Sequence, residues 1–155
     1  MTIGVLPGDM SVVIQVFLAA ERMPNPEQRA AAIRAHGFDM DLDPDFDVRE
    51  FTGFLPCKCK EHDAGFEYYF DAMDWDADPD EPDEGLRQAI AGRDSFVSLV
   101  AHASWHEFAT SVIASGVLCA ISDGVLIDVE EAISASAAIA WAKEGETAVE
   151  AELDR

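Results

Sequence analysis

Apolar and polar positions change their spacing several times along this chain, and each change marks an element. From Ser11 to Leu18 the residues Ser-Val-Val-Ile-Gln-Val-Phe-Leu are mostly apolar and β-branched, the profile of a buried strand. Pro24 and Pro26 then open a helix of alanines and good helix formers, predicted over Pro26 to His36 and stopped by Gly37. Between Phe38 and Val48 the alternation is strict. Phe38, Met40, Leu42, Phe46 and Val48 fall on one side, and Asp39, Asp41, Asp43, Asp45 and Asp47 on the other. An extended chain alternates faces and rises roughly 3.3 Å per residue, so five carboxylates would line one side about 6.6 Å apart. Pro44 suits an edge strand, where it blunts unwanted pairing.

Beyond this segment the aromatic-rich runs Phe51 to Lys60 and Phe66 to Phe70 flank a polar turn, Glu61 to Gly65, and read as a hairpin. Residues Asp71 to Glu84 hold eight acids, two prolines and no base, so a long acidic loop is predicted there. A short helix, Pro82 to Ala91, is expected to end at Gly92, and a strand to follow over Ser95 to Ala101. Ser104 to Ile121 reads as a core-facing helix with Phe108, Val112, Ser115 and Cys119 on one face, Ser104 as N-cap and Glu107 three residues on. The turn Asp123-Gly124 leads to a short strand, Val125 to Val129. An Ala/Glu-rich helix is then predicted over Glu130 to Leu153, with a break at Gly145 and a frayed end over residues 145–155. The predicted fold is α+β: a single domain over residues 1–155, with a mixed or antiparallel sheet of five to six strands packed against three to four helices.

Charge changes this picture more than length does. Against 10 basic residues stand 31 acidic ones, a formal net charge of −21. Such a field repels nucleic acid and anionic membranes and speeds encounter with a basic partner. The acids are also clustered, six between Asp39 and Glu50 and eight between Asp71 and Glu84, which favours a site over a general adaptation to solvent. Hydrophobic content of 49% argues against wholesale disorder. Cys57, Cys59 and Cys119 form an odd set without a disulfide framework, so free thiols in a reducing compartment are expected. The apolar run Met10 to Ala20 is too short to span a bilayer, and a cytoplasmic location is expected.

Three candidate chemistries follow. Asp39, Asp41, Asp43, Asp45, Asp47 and Glu50 fall at positions 1, 3, 5, 7, 9 and 12 of a calcium loop, but Pro44 stands where its turn requires glycine. Cys57, Cys59 and His62, with His102 and His106, could supply zinc ligands, although Cys-x-Cys is tighter than the usual spacing. No glycine-rich phosphate loop, nucleophile elbow or HExxH motif is present, so no catalytic residue, metal ligand or cofactor is assigned. The third chemistry is recognition of a protein. The pattern Asp-x-Asp-x-Asp-Pro-Asp occurs at Asp39 and again at Asp74, where it encloses Trp75, the kind of aromatic anchor found at interface hot spots. The partner-binding candidates are therefore Asp39, Asp41, Asp43, Asp45, Asp47, Asp74, Trp75, Asp76, Asp78 and Asp80.

Gly53-Phe-Leu-Pro-Cys57, Gly65-Phe-Glu-Tyr-Tyr69 and the Ala/Ser-rich helix running into Asp123-Gly-Val-Leu-Ile-Asp128 resemble small bacterial immunity proteins of polymorphic-toxin systems, including type VI secretion effector–immunity pairs. The resemblance covers roughly Phe51 to Trp141. It implies a cytoplasmic protein that binds a cognate toxin domain, in several systems a nuclease, and blocks it or holds it inactive. No functional residue is carried over by it. A basic active-site region is the expected target of the acidic segments, with no direct binding to nucleic acid or membrane. A calcium-binding module and an acidic nucleic-acid mimic that inhibits several enzymes stand as alternatives.

Overall fold

The computed structural model describes residues 12–42, 45–73, 88–102, 104–128 and 131–153. Strand β1 (Val12–Leu18) leads through a helical turn, Ala20–Arg22, to helix α1 (Pro26–Ala35). Strands β2 (Met40–Leu42), β3 (Gly53–Cys59), β4 (His62–Ala72) and β5 (Ser95–Ala101) follow. Helix α2 (Trp105–Ser122), strands β6 (Val125–Asp128) and β7 (Glu131–Ser134) and helix α3 (Ala135–Leu153) complete the order. The seven strands form one sheet in the order β2-β3-β4-β5-β1-β6-β7, and every neighbouring pair is antiparallel. The result is a single α+β domain with one strand more than the sequence pattern suggested.

Local chemistry explains the boundaries. Asn25 caps α1 by accepting from the Gln28 amide at 2.7 Å, while the Gln28 side chain accepts from the Asn25 amide at 2.9 Å, a reciprocal capping box beside Pro26. Ser104 caps α2 as its sequence position predicts. The β3–β4 connection is shorter than predicted. Cys59 pairs with His62, so the turn is only Lys60-Glu61, both at positive φ, and residues 62–65 belong to the strand. Two-residue turns of this hand match the twist of the strands they join.

The C-terminal third departs from its pattern in two ways. Residues 131–134, predicted as the start of a helix, instead pair with β6, with Ile133 opposite Leu126. Helix α3 then passes through Gly145 without a break. Of the helix predicted over Pro82 to Ala91, only Gln88 and Ala89 lie among the described helical residues.

Helices α1, α2 and α3 serve one face of the sheet. Along β5 the residues Ser95, Val97, Leu99 and Ala101 are buried, while Phe96, Ser98 and Val100 between them are half-buried. Helix α2 lies on the buried face against β1, β3, β4 and β5, with α1 and α3 beside it, and is therefore buried around much of its circumference. Its internal hydroxyls are satisfied along the helix: Ser111 donates to the Phe108 carbonyl at 2.8 Å and Ser122 to that of Leu118 at 2.6 Å. Thr110 also reaches the Gly65 carbonyl at 3.2 Å, tying α2 to β4. Helix α3 reaches the β3–β4 turn, where Lys60 pairs with Glu150. No helix among the described residues is long and apolar enough to cross a membrane.

Candidate functional site

The acidic alternation becomes an edge strand. Phe38, Met40 and Leu42 point into the core and are buried, whereas Asp39 and Asp41 between them are exposed. Among the described residues strand β2 pairs only with β3, so its other side is the rim of the described sheet. Burying three apolar side chains fixes the register, because a slip of one residue would put the carboxylates inside. Asp41 stands opposite Lys58 and 4.0 Å from Arg34 on α1, an exposed pair that contributes little to stability.

The alternation does not continue as a single row of five. Asp47 turns back on the chain: its carboxylate accepts from the amides of Arg49 at 2.9 Å and Glu50 at 3.2 Å, and its carbonyl accepts from the Phe51 amide. This local capping competes with extended structure and bends residues 47–51 into a helical turn. Asp45 and Asp47 instead flank an open groove whose other walls are Asn25, Pro26 and Glu27 at the start of α1. Phe46 and Val48 are half-buried. Asp43 lies outside the described residues, as do Asp74, Trp75, Asp76, Asp78 and Asp80. Of the ten candidates, the structure therefore places Asp39, Asp41, Asp45 and Asp47, all exposed and all on the stretch between α1 and β3.

Beneath the groove is a group that the sequence pattern did not single out. Arg29 is 5% exposed, and its guanidinium sits under the rings of Phe46 and Tyr68, 5.8 Å and 5.4 Å from their centroids. It donates to the Pro24 carbonyl at 3.2 Å and to the Tyr68 hydroxyl at 3.1 Å, and that hydroxyl donates to the Val48 carbonyl at 2.7 Å. Burial pulls the Arg29 pKa down and pushes the Tyr68 phenol up, and the contact between the two opposes both shifts. Phe46 meets Tyr68 edge-on, with centroids 5.4 Å apart. An aromatic and cationic support thus holds the acidic turn from below. An arginine in an Ala-rich helix reads as solvated in sequence, and only the tertiary position of Tyr68 reveals it as buried.

The cysteine and histidine candidates are not brought together. Cys57 and Cys59 face the helices, where burial pushes the Cys57 thiol up to about 12 and raises that of Cys59. His62 stacks on His106 with ring centroids 4.3 Å apart, and His102 pairs with Glu67. Among the described residues no three His, Cys, Asp or Glu side chains converge as a metal would require. The calcium reading gains no support from the described geometry. Asp41 lies in strand β2 with Asp39 just before it, the Asp47 carboxylate is engaged by amides, and strand β3 follows Glu50 where a calcium loop would lead into a helix.

Comparison with protein-family models, curated proteins and solved structures gives no match to this chain. The functional reading therefore rests on the residues themselves.

Proposed function

We propose that this chain is an inhibitor, an immunity protein that neutralises a cognate bacterial toxin by presenting an acidic surface to its basic active-site region, with a nuclease as the favoured target. The observation that carries the reading is the edge of the sheet: Asp39 and Asp41 project outward from a strand whose intervening side chains are buried, and Asp45 and Asp47 follow on a braced turn, in a chain of net charge −21. Carboxylates fixed on a rigid edge attract a basic groove without first having to be ordered, which raises the rate of encounter. The same field disfavours nucleic acid as the direct ligand.

Co-expression tests the reading. The chain is produced in cells together with a nuclease toxin domain drawn from the genes flanking its own, and growth is compared with cells expressing the nuclease alone. Restored growth, together with a complex that co-purifies at moderate salt, supports inhibition by binding. Undiminished killing at equal expression contradicts it.

A further inference from the structure

Among the described residues, the face of the sheet opposite helices α1, α2 and α3 is closed at one end only. There Phe17 and Val125 are buried under Ile90, with Phe96, Met73 and Ile127 packed around them. At the other end, four register partners cross the sheet in one row: Phe54 on β3, Glu67 on β4, Val100 on β5 and Val13 on β1. Phe54 is 51% exposed and Val13 50%, the two most exposed of the large apolar side chains among the described residues. Strands about 4.8 Å apart spread this row over roughly 14 Å.

The row is held in place as well as exposed. A Cβ added at Gly65 would lie 2.6 Å from Cζ of Phe54, so the ring rests on the bare backbone of the neighbouring strand, with Pro56 exposed beside it. Glu67 accepts from the Tyr69 hydroxyl at 2.6 Å and pairs with His102, and these contacts, led by the hydroxyl, hold its carboxyl below the usual carboxylate range. Asp63 and Asp71 lie on the same face, four residues either way from Glu67, and both are exposed. Two exposed apolar groups, Phe54 seated on Gly65 and Val13 at the far end of the row, thus bracket a fixed carboxylate, with further acids on the same face.

We infer that this open end of the sheet, centred on Phe54, Glu67 and Val13, is a docking surface for a basic protein that presents an apolar ridge flanked by arginine or lysine. The inference rests on the inhibitor reading and adds to it the place where apolar contact slows dissociation. Charge selects the occupant. A second copy of this chain would set Glu67, Asp63 and Asp71 against like charges and bring two bodies of −21 together, whereas a basic ridge pairs with them.

The test uses a short synthetic peptide alternating arginine with leucine and a second alternating arginine with serine, titrated into isotopically labelled protein while backbone amide shifts are followed. The arginine–leucine peptide is expected to bind about tenfold more tightly, since only it buries apolar surface. Its shifts should centre on Phe54, Glu67, Val100 and Val13, and the Val13→Ser/Phe54→Ser double variant should lose the difference between the peptides. Mapping on the unsubstituted protein stands even if that variant fails to fold. Equal binding of both peptides with shifts confined to Asp39 and Asp41 overturns this surface and leaves the acidic-edge reading intact. Absence of binding by either peptide at low salt overturns the electrostatic premise of both. A concentration-dependent dimer in sedimentation that the double variant abolishes assigns the face to a second copy and overturns the inference as well.

Discussion

Arg29 and Tyr68 share a hydrogen bond of 3.1 Å, Nη2 to Oη, in the floor under the acidic turn, and the same hydroxyl donates a hydrogen bond to the Val48 carbonyl at 2.7 Å. Helix α1, strand β4 and the turn that carries Asp45 and Asp47 are thereby joined at one oxygen. Tyr68→Phe keeps the ring and removes that oxygen, so the buried guanidinium keeps Met23 Sδ and the Pro24 carbonyl but loses its hydroxyl acceptor, and the Val48 carbonyl loses the phenol donor. The expected cost is about 1–3 kcal/mol, read as a lower midpoint in urea unfolding. A midpoint unchanged from the parent chain would show that the oxygen contributes nothing.

Helices α2 and α3 approach closely at Gly116. A Cβ there would lie 2.7 Å from that of Ala142 and 3.0 Å from the Ala138 carbonyl. Gly116→Ala raises helix propensity, which alone would stabilise the protein, yet it must push the two helices apart. Overpacking is expected to win, with a net loss of about 1–3 kcal/mol in chemical unfolding. A stabilised variant would mean that the helices separate at no cost.

Much of this fold was legible in the sequence because its signals were local. The Pro26 start and Gly37 stop of α1 and the Ser104 cap of α2 each act within a few residues, and those two helices lie close to their predicted bounds, whereas of the alternation read over residues 38–48 only Met40–Leu42 forms a strand among the described residues. The failures were tertiary. Residues 131–134 read as helix from composition, but the edge of β6 offered unpaired backbone groups and drew them into the sheet. Gly65 looked like a turn residue, whereas it sits inside β4 because Phe54 covers it. The outward carboxylates Asp39 and Asp41 could be read from period 2 alone. The bend at Asp47 could not, since it depends on one side chain capping its own backbone. The open-face residues Phe54 and Val13 were invisible for a different reason: pattern tells which residues share a face, and only the structure tells which face the helices leave bare.

The thiols give a test of the core. Burial pushes Cys57 and Cys119 up to about 12 and raises Cys59, so none forms the reactive thiolate near neutral pH. With an aromatic disulfide reagent at about pH 8, all three should be silent in the native protein and react on unfolding. Fast reaction of Cys57 in the native state would contradict its place beneath α2.

Acid sensitivity should centre on His106. Burial first, then His62 and Lys60, lower its pKa, so the unfolded chain binds a proton more readily than the folded one. Glu150, Lys60's partner, and Leu153 complete the surroundings of the histidine pair. For a base whose folded pKa is depressed, the stabilisation is fully present above the unfolded value of about 6.5 and is lost as pH falls through the folded pKa. Thermal midpoints should therefore fall on acidification from about pH 7 to 5, and His106→Gln should flatten that slope. An unchanged slope in the variant would assign the acid sensitivity elsewhere.

The most direct measurement of the central claim is the association rate with the proposed cognate nuclease domain, followed by stopped flow as ionic strength rises. Steered encounter predicts a rate above about 10⁷ per molar per second at low salt, falling steeply as salt screens the edge. The Asp39→Asn/Asp41→Asn variant should associate several-fold more slowly at low salt and approach the parent rate at high salt. A rate indifferent both to salt and to loss of these two carboxylates would contradict an acidic edge as the docking surface.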